Sequence, residues 1–223
     1  MQLRFNTTLS AAEYVRERAW CRATLPHCPL HPDGGCSFAR HGTYRRVDPL
    51  GTRVPRWYCP EGHRTFSMLA DCFAARLPGS LAELEQVVIA AEHATSLEAA
   101  ANRVRTDDIT LAGALRWTRR RIQQVHLVLR TLITVIPAFA GCQPTVGAFR
   151  HWLHADTVLP RLRDMASVYL PVLPPPLGFA ANLQHACDDS SLSNTIRGQT
   201  YRCRCGNFSI KALHHALLEK PPP

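Results

Sequence analysis

The chain has 223 residues, 46% of them hydrophobic, a composition typical of globular proteins that excludes a disordered tail. Its formal net charge is +9 at pH 7, and Lys211 and Lys220 are the only lysines among its 26 basic residues. A strongly positive chain favours an anionic partner, and arginine in particular suits bidentate contacts with phosphate and guanine.

The sequence also indicates a compartment. Residues 125–140 form the most apolar run, but charged residues and a proline interrupt it, and it is too short to span a bilayer. Residues 1–10 lack the apolar segment of a signal peptide. Nine cysteines, several in C-x2-H, C-x3-H or C-x-C clusters, suit metal binding in a reducing cytosol better than a disulfide framework. We therefore expect a cytoplasmic, nucleoid-associated protein without membrane contact.

Two short clusters of soft metal ligands lie on either side of an arginine-rich segment in the N-terminal third. The clusters are Cys28, His31 and Cys36, and Cys59 with His63. The segment between them has too few apolar residues to build a core, so something other than burial must hold it together. Four of these five side chains can close a tetrahedral zinc site that supplies the folding energy directly.

The second cluster is part of a longer motif. Residues 57–67, WYCPEGHRTFS, resemble the second knuckle of the zinc ribbons found at the N-terminus of many bacterial insertion-sequence transposases. Residues 28–31 look like the first knuckle of such a ribbon, and residues 40–44 look like the strand that follows it. The resemblance implies a zinc-stabilised ribbon and a link to mobile-element DNA.

The chain departs from the family pattern at three positions. His31 replaces a cysteine, His63 lies one residue later than the ligand it would replace, and Cys36 is a fifth candidate. The resemblance favours Cys28, Cys59 and His63 as ligands, with either His31 or Cys36 as the fourth.

Between the knuckles, residues 44–47 and 54–58 are predicted to form two short strands joined by a turn at residues 48–51. A metal-stabilised hairpin would hold its arginines on a stiff platform from which they can reach DNA phosphates. The alternative is ordinary surface charge. The candidate DNA-binding residues of this hairpin are Arg45, Arg46, Arg53 and Arg56.

Three helices are predicted after the ribbon. Ser80 and Glu83 form a capping box for a helix that ends near residue 93, and residues 97–104 form a shorter, alanine-rich helix. A third helix spans residues 111–136. This order resembles a helix-turn-helix module. A zinc ribbon followed by such a module also resembles the region in front of the catalytic domain of transposases.

The third helix carries a dense group of arginines that is expected to meet DNA in the major groove. Arg116, Arg119 and Arg120 fall on one side of the helix. Leu115, Ile122 and Val125 can face the core. The alternatives are a solvated helix or an oligomerisation helix. Residues 125–136 are apolar on more than one face, which predicts packing on the C-terminal helices or on a second copy in a homodimer. The group consists of Arg116, Arg119, Arg120 and Arg121.

The C-terminal third is predicted to contain helices near residues 145–155 and 157–169, followed by a stiff proline-rich linker at 171–176. Residues 201–209 then repeat the aromatic, Cys, Gly, Phe, Ser order of the ribbon. A second, tentative metal site follows from this echo, against the alternative of a buried Cys187 and a free C-x-C pair. Its candidate ligands are His185, Cys187, Cys203 and Cys205.

Together these features predict a mainly α fold with a small β zinc ribbon at the N-terminus. The ribbon is predicted to be followed by a helix-turn-helix module, by C-terminal helices and by a small C-terminal module with the candidate second metal site. The predicted divisions are a lead-in helix at 1–27, the ribbon at 28–78, the helix-turn-helix at 79–137, a helical region with its linker at 138–176, and the last module at 177–223.

The sequence contains no convincing catalytic motif. The carboxylates after the third helix lack a strand-rich core that would bring them together around catalytic metal ions, so we expect no enzymatic activity. The predicted function is zinc-dependent binding of double-stranded DNA in association with a mobile element. The alternatives are a scaffold that recruits a transposase or recombinase, and a compact transposase or nuclease.

Overall fold

A computed structural model describes residues 1–105 and 109–179. Within these ranges the fold is mixed α/β, with six α-helices and a four-stranded sheet at the N-terminus. The described residues belong to one compact unit, residues 1–182, so the predicted divisions at residues 78 and 137 fall inside a unit. In the described ranges, no helix has both the length and the apolar character needed to cross a bilayer. The tentative second metal site, with His185 and Cys187, lies outside the described residues.

The sheet has the strand order β1-β4-β3-β2. Strands β2 (Ala39–Arg45), β3 (Arg53–Cys59) and β4 (Arg64–Ala70) are antiparallel neighbours. Strand β1 (Gln2–Phe5) pairs with β4 in parallel and was not predicted. Alternation along the strands buries one face, which carries Trp57, Phe66 and Met68. The opposite face is polar at Gln2, Arg56 and Ser67, but its other end buries Val54 and Leu69 in a second hydrophobic cluster. The predicted hairpin is confirmed, with longer strands.

Helix α1 (Ala11–Arg16) occupies only a small part of residues 1–27, where the lead-in helix was predicted. The capping box of Ser10 and Glu13 begins it, and Arg18 ends it by adopting a left-handed conformation with φ of +51°. The chain then makes a single 3₁₀ turn that places Trp20 against Tyr14, with ring centroids 5.8 Å apart.

Helices α2 (Leu81–Glu92), α3 (Leu97–Val104) and α4 (Leu111–Val135) contact one another. Hydroxyl side chains cap all three, because Ser80, Ser96 and Thr110 each accept a hydrogen bond from a backbone N–H in the first turn. These helices begin where the sequence predicts.

The buried side of α4 differs from the predicted one. Leu115 and Ile122 are half-buried, whereas Arg121 lies in the buried stripe. The spacing of three and four residues along this stripe is that of a helix with one buried side. Its members are Ala114, Thr118, Arg121, Val125, Val128 and Leu132.

The main hydrophobic core joins the apolar half of α4 to α2, α5 (Val146–Leu153) and α6 (Leu159–Met165). Val125, Val128, Leu129 and Leu132 are buried in this core. The sequence predicts that residues 125–136 pack either on the C-terminal helices or on a second copy of the chain. The core that these residues share with α2, α5 and α6 supports the first alternative.

Two carboxylates on α2 cap the helices packed against it. Glu85 accepts hydrogen bonds from the backbone N–H groups of Val158 and Leu159 at 2.8 to 3.0 Å, at the start of α6. Glu92 accepts from Val146 and Gly147 at 2.8 and 2.9 Å, at the start of α5. One face of α2 therefore fixes the positions of both C-terminal helices.

The proline-rich segment at residues 171–176 is not a linker. Leu173 and Leu177 are buried, and the Pro176 carbonyl accepts a hydrogen bond from the Ala75 N–H at 2.9 Å. Arg163, which is fully buried, donates to four backbone carbonyls and so ties this segment to the end of the sheet. The four acceptors are the carbonyls of Asp71, Phe73, Pro176 and Leu177.

Candidate metal centre

The structure brings together three cysteines and one histidine from three separate turns. The ligand atoms of Cys28, His31, Cys36 and Cys59 all lie within 4.8 Å of one another. None of these cysteines is in a disulfide. Cys28 and Cys59 are buried, while His31 and Cys36 are partly exposed. A group of this composition could hold a metal ion.

The first knuckle is a tight turn. The backbone N–H of His31 donates to the carbonyl of Cys28 at 3.1 Å, which turns both side chains to the same side. The Nδ1 atom of His31 then lies 3.5 Å from the Cys28 Sγ and also 3.5 Å from the Cys59 Sγ. His31 therefore bridges the two knuckles.

The second knuckle follows directly from β3. Cys59 is the last residue of that strand, and the N–H of Gly62 donates to its Sγ at 3.3 Å. This hydrogen bond fixes the position of the sulfur beside the other ligand atoms. A Cβ atom on Gly62 would lie 2.4 Å from the Leu30 side chain, so any larger residue here would require Leu30 to move.

The third turn delivers Cys36. Gly34 and Gly35 have φ values of +89° and +84°, which only glycine adopts without strain, and this double turn folds the chain back toward the cluster. The Glu61 carboxylate then accepts from the Ser37 N–H at 3.0 and 3.1 Å. The segment that carries Cys36 is thereby tied to the second knuckle.

The spacing of the ligand atoms fits a tetrahedral site. With Zn–S and Zn–N bonds of about 2.3 and 2.05 Å, the S···N edge of a tetrahedron is about 3.5 Å. Both distances from the His31 Nδ1 to a sulfur have this value, 3.5 Å. Three thiolates and an imidazole form a closed ligand set of the kind found in structural zinc sites.

The pKa values of two of the thiols bear on how the cluster could hold a cation. Burial acts to raise the pKa of Cys28, but hydrogen bonds with His31 and with the Leu30 backbone outweigh it and lower the pKa to about 7. Burial, and then the neighbouring Cys28 sulfur, raise the pKa of Cys36 to about 11. The cluster therefore favours one thiolate at neutral pH but opposes several at once. A bound cation would remove this opposition.

His63, which the sequence favoured as a ligand, lies outside the cluster. It is exposed, has a φ of +47°, and its Nδ1 atom lies 3.5 Å from the Tyr58 hydroxyl. Gly62 and His63 follow Cys59 at the positions where the family pattern has a second cysteine and a glycine. Cys36 therefore supplies the fourth ligand from a different turn.

The arginines predicted in the hairpin divide into three groups. Arg45 and Arg53 are exposed, and Arg56 is half-buried with its guanidinium 5.9 Å from the centre of the Tyr44 ring. Arg46 turns inward and donates to the carbonyls of three residues in the loop before α2, at 2.6 to 3.3 Å. Burial lowers the pKa of Arg46. This side chain holds the loop and is not available to DNA.

The arginines of α4 divide in the same way. Arg116, Arg119 and Arg120 are exposed. Among residues 1–105 and 109–179 they form no ion pair. Arg121 is buried with its guanidinium 3.6 Å from the centre of the Trp117 ring, and burial lowers its pKa to about 10. Arg121 therefore packs within the protein and cannot reach a groove of DNA.

Sequence reasoning missed two structural groups at the site. Glu61 was not singled out, although its position in the CPEGH turn beside a ligand was a usable signal. Arg40 was also missed: it stacks on Trp57 at 5.5 Å and donates to the Trp20 carbonyl at 2.7 Å. Nothing in the sequence around Arg40 distinguishes it from the exposed arginines nearby.

Comparisons with known proteins identify no relative: no protein family, curated protein or solved structure matches the chain.

Proposed function

We propose that this chain is a zinc-stabilised protein that binds double-stranded DNA and acts with a mobile element. The observation that carries the proposal is the exposed cationic side of α4, where Arg116, Arg119 and Arg120 lie at i, i+3 and i+4 spacing. Three guanidinium groups this close repel one another in the free protein, so an anion bound between them is favoured.

Zinc is the proposed metal because of the chemistry of the ligands. Three thiolates and one imidazole select a soft or borderline ion, and hard ions such as magnesium prefer oxygen. Cys28, His31, Cys36 and Cys59 would hold it, and its role would be structural. All four positions of a tetrahedral site are taken by protein, so no position remains for a substrate or a catalytic water.

In the proposed complex, α3 and α4 act as a helix-turn-helix module, with the cationic side of α4 in the major groove. Arg45 and Arg53 extend the positive surface onto the hairpin, where they would contact the phosphate backbone or the minor groove. This arrangement also agrees with the resemblance to the DNA-binding region of insertion-sequence transposases.

A scaffold that recruits a transposase or recombinase is less well supported. That alternative uses the apolar half of the third helix, residues 125–136, and the C-terminal cysteine module. The chain's own helices bury most of the apolar stripe, and the cysteines of the module lie outside the described residues. The net charge of +9 provides no basis for choosing a protein partner over DNA.

Fluorescence anisotropy with a labelled duplex, measured over a range of salt concentrations, tests the proposal. We expect Arg119→Ala/Arg120→Ala to weaken binding by roughly tenfold or more, and to reduce the slope of log K against log salt by about two. The matched control is Arg130→Ala/Arg161→Ala, which removes the same charge from two other exposed positions.

A wild-type chain that fails to bind duplex DNA at low salt contradicts the proposal. So does an Arg119→Ala/Arg120→Ala variant with the same salt slope as its control. Native mass spectrometry of protein purified without added metal tests the other half of the proposal. We expect one zinc ion per chain for the described cluster.

A further inference from the structure

A second group of polar side chains surrounds a cavity on the face of the sheet that carries Gln2, Arg56 and Ser67, opposite the face of Trp57 and Phe66. The cavity has a volume of about 360 Å³. Gln2, Ser67 and Arg56 lie in one row across β1, β4 and β3, because Gln2 pairs with Ser67 and Ser67 pairs with Arg56. The other lining residues include Tyr44, Thr65 and Arg76.

Two polar atoms of this row are buried without a partner. Among the described residues, neither the Arg56 Nε nor the Gln2 Oε1 forms a hydrogen bond. Both atoms belong to side chains that line the cavity, and native proteins pair almost all such atoms, so the hydrogen-bonding capacity of this row is not fully used. The Gln2 amide can rotate by 180° to present its NH2 group instead, so both side chains can donate to an acceptor-rich ligand.

The two arginines of the cavity differ in how they are held. The guanidinium of Arg56 lies 5.9 Å from the centre of the Tyr44 ring, which restricts its position. Arg76 is exposed and has a φ of +57°, in the left-handed region that disfavours every residue with a Cβ atom. Glycine would serve the turn better, so the backbone alone does not explain an arginine at this position.

The lining has the chemistry of a phosphate site. Two guanidinium groups can form paired hydrogen bonds to phosphate oxygens, and the hydroxyls of Thr65 and Ser67 can add single ones. No carboxylate lines the cavity among the described residues. We propose that this cavity, with Arg56 and Arg76 as its principal donors, binds a phosphate group. The source of this phosphate group rests on the proposed function: if the chain binds duplex DNA, the group is a phosphate of the DNA backbone.

The test compares the full chain, as purified, with three variants. Arg56→Gln and Arg76→Gly change the cavity, and Arg161→Gln removes the same charge from an exposed position outside it. Arg76→Gly should fold at least as well as the wild type, since glycine relieves the positive φ. Anisotropy with a duplex over a salt series measures DNA binding. Calorimetry with inorganic phosphate, against sodium chloride at equal ionic strength, measures binding of the free anion.

We expect each cavity variant to weaken duplex binding about 3- to 10-fold and to lower the salt slope by about one, while Arg161→Gln leaves the slope unchanged. Loss of inorganic phosphate binding with unchanged duplex binding would still support the cavity, with a free phosphate compound as its ligand. A wild type that binds phosphate at this cavity but no duplex would refute the proposed function alone. Duplex and phosphate affinities that are unchanged in both cavity variants would overturn the inference.

Discussion

The sheet around the metal cluster and the helices that follow it are stabilised in different ways. The core beside the cluster has only six buried residues, and two of them, Cys28 and Cys59, are candidate ligands. The core shared by α2, α4, α5 and α6 has twenty buried residues, almost all large and aliphatic or aromatic. Burial of one such side chain contributes about 1.5 to 3 kcal/mol. The helical region can therefore depend on burial, whereas the region around the cluster buries less and would gain more stability from a bound metal ion.

Removal of the metal should separate the two regions and is the largest effect we expect. Apparent binding free energies of structural zinc reach about 10 to 16 kcal/mol in small zinc domains, which is comparable to the stability of a whole domain. We therefore expect a chelator, or Cys59→Ser, to unfold residues 28–67 while the helices persist. Trypsin should then cut first after the arginines of that segment, as identified by mass spectrometry.

Cys142→Ser is the matched control, because Cys142 is half-buried and lies far along the chain from the cluster. It should retain the metal and the wild-type cleavage pattern. If the chelated protein resists trypsin at residues 28–67, then burial is sufficient there and the contrast between the two regions fails.

The two regions also differ in how far the sequence predicts them. The starts of α2, α3 and α4 follow from Ser80, Ser96 and Thr110, because a capping hydroxyl acts within its own turn. The choice of Cys36 over His63 depends on a double-glycine turn and on a contact between distant segments. Spacing alone therefore narrows the ligands to five candidates and cannot select four.

Buried arginines mark the second limit of sequence reasoning. Nothing in the residues next to Arg46, Arg121 or Arg163 distinguishes them from exposed arginines such as Arg119. Arg46 and Arg163 donate to backbone carbonyls of distant segments, and Arg121 packs on the ring of Trp117, one turn earlier in the same helix. Such acceptors come together only in the folded chain, so charge patterns overestimate the surface available to DNA.

Arg163 tests the boundary between the two regions, and its loss should have the next largest effect. Its guanidinium is fully buried, and burial lowers its pKa to about 10, yet it stays protonated at neutral pH on four carbonyl acceptors. Arg163→Met would leave the carbonyls of Asp71, Phe73 and Leu177 without this donor, while the Pro176 carbonyl would keep its hydrogen bond from Ala75. We expect a loss of about 3 to 5 kcal/mol in the free energy of unfolding, measured by urea denaturation.

The exposed neighbour two residues earlier provides the comparison. Arg161→Met should change the free energy of unfolding by less than about 0.5 kcal/mol. An Arg163→Met variant within about 1 kcal/mol of the wild type would mean that the sheet and the proline-rich segment are held together by other contacts.

The smallest effect concerns the carboxylates of α2, and it sharpens the account of the helical region. Burial acts to raise the pKa of Glu92, but hydrogen bonds from His126 and from two backbone N–H groups outweigh it and lower the pKa. A carboxyl with a lowered pKa in the folded state stabilises the protein above its unfolded pKa, and this contribution is lost as pH falls through the folded value. Glu92→Gln should therefore cost about 1 to 2 kcal/mol at pH 7 and progressively less as the pH is lowered below about 4.

Glu85 should show the opposite dependence, because burial raises its pKa despite the hydrogen bonds from Val158 and Leu159. Its ionisation opposes folding, so its contribution to stability should increase as pH falls through its raised folded pKa toward the pKa of the unfolded chain. Urea denaturation of Glu85→Gln and Glu92→Gln between pH 7 and pH 3 measures both slopes, with the exposed Glu98→Gln as a control. If the free energy of unfolding of the two variants depends on pH in the same way, the two carboxyl groups do not differ in pKa in the folded chain.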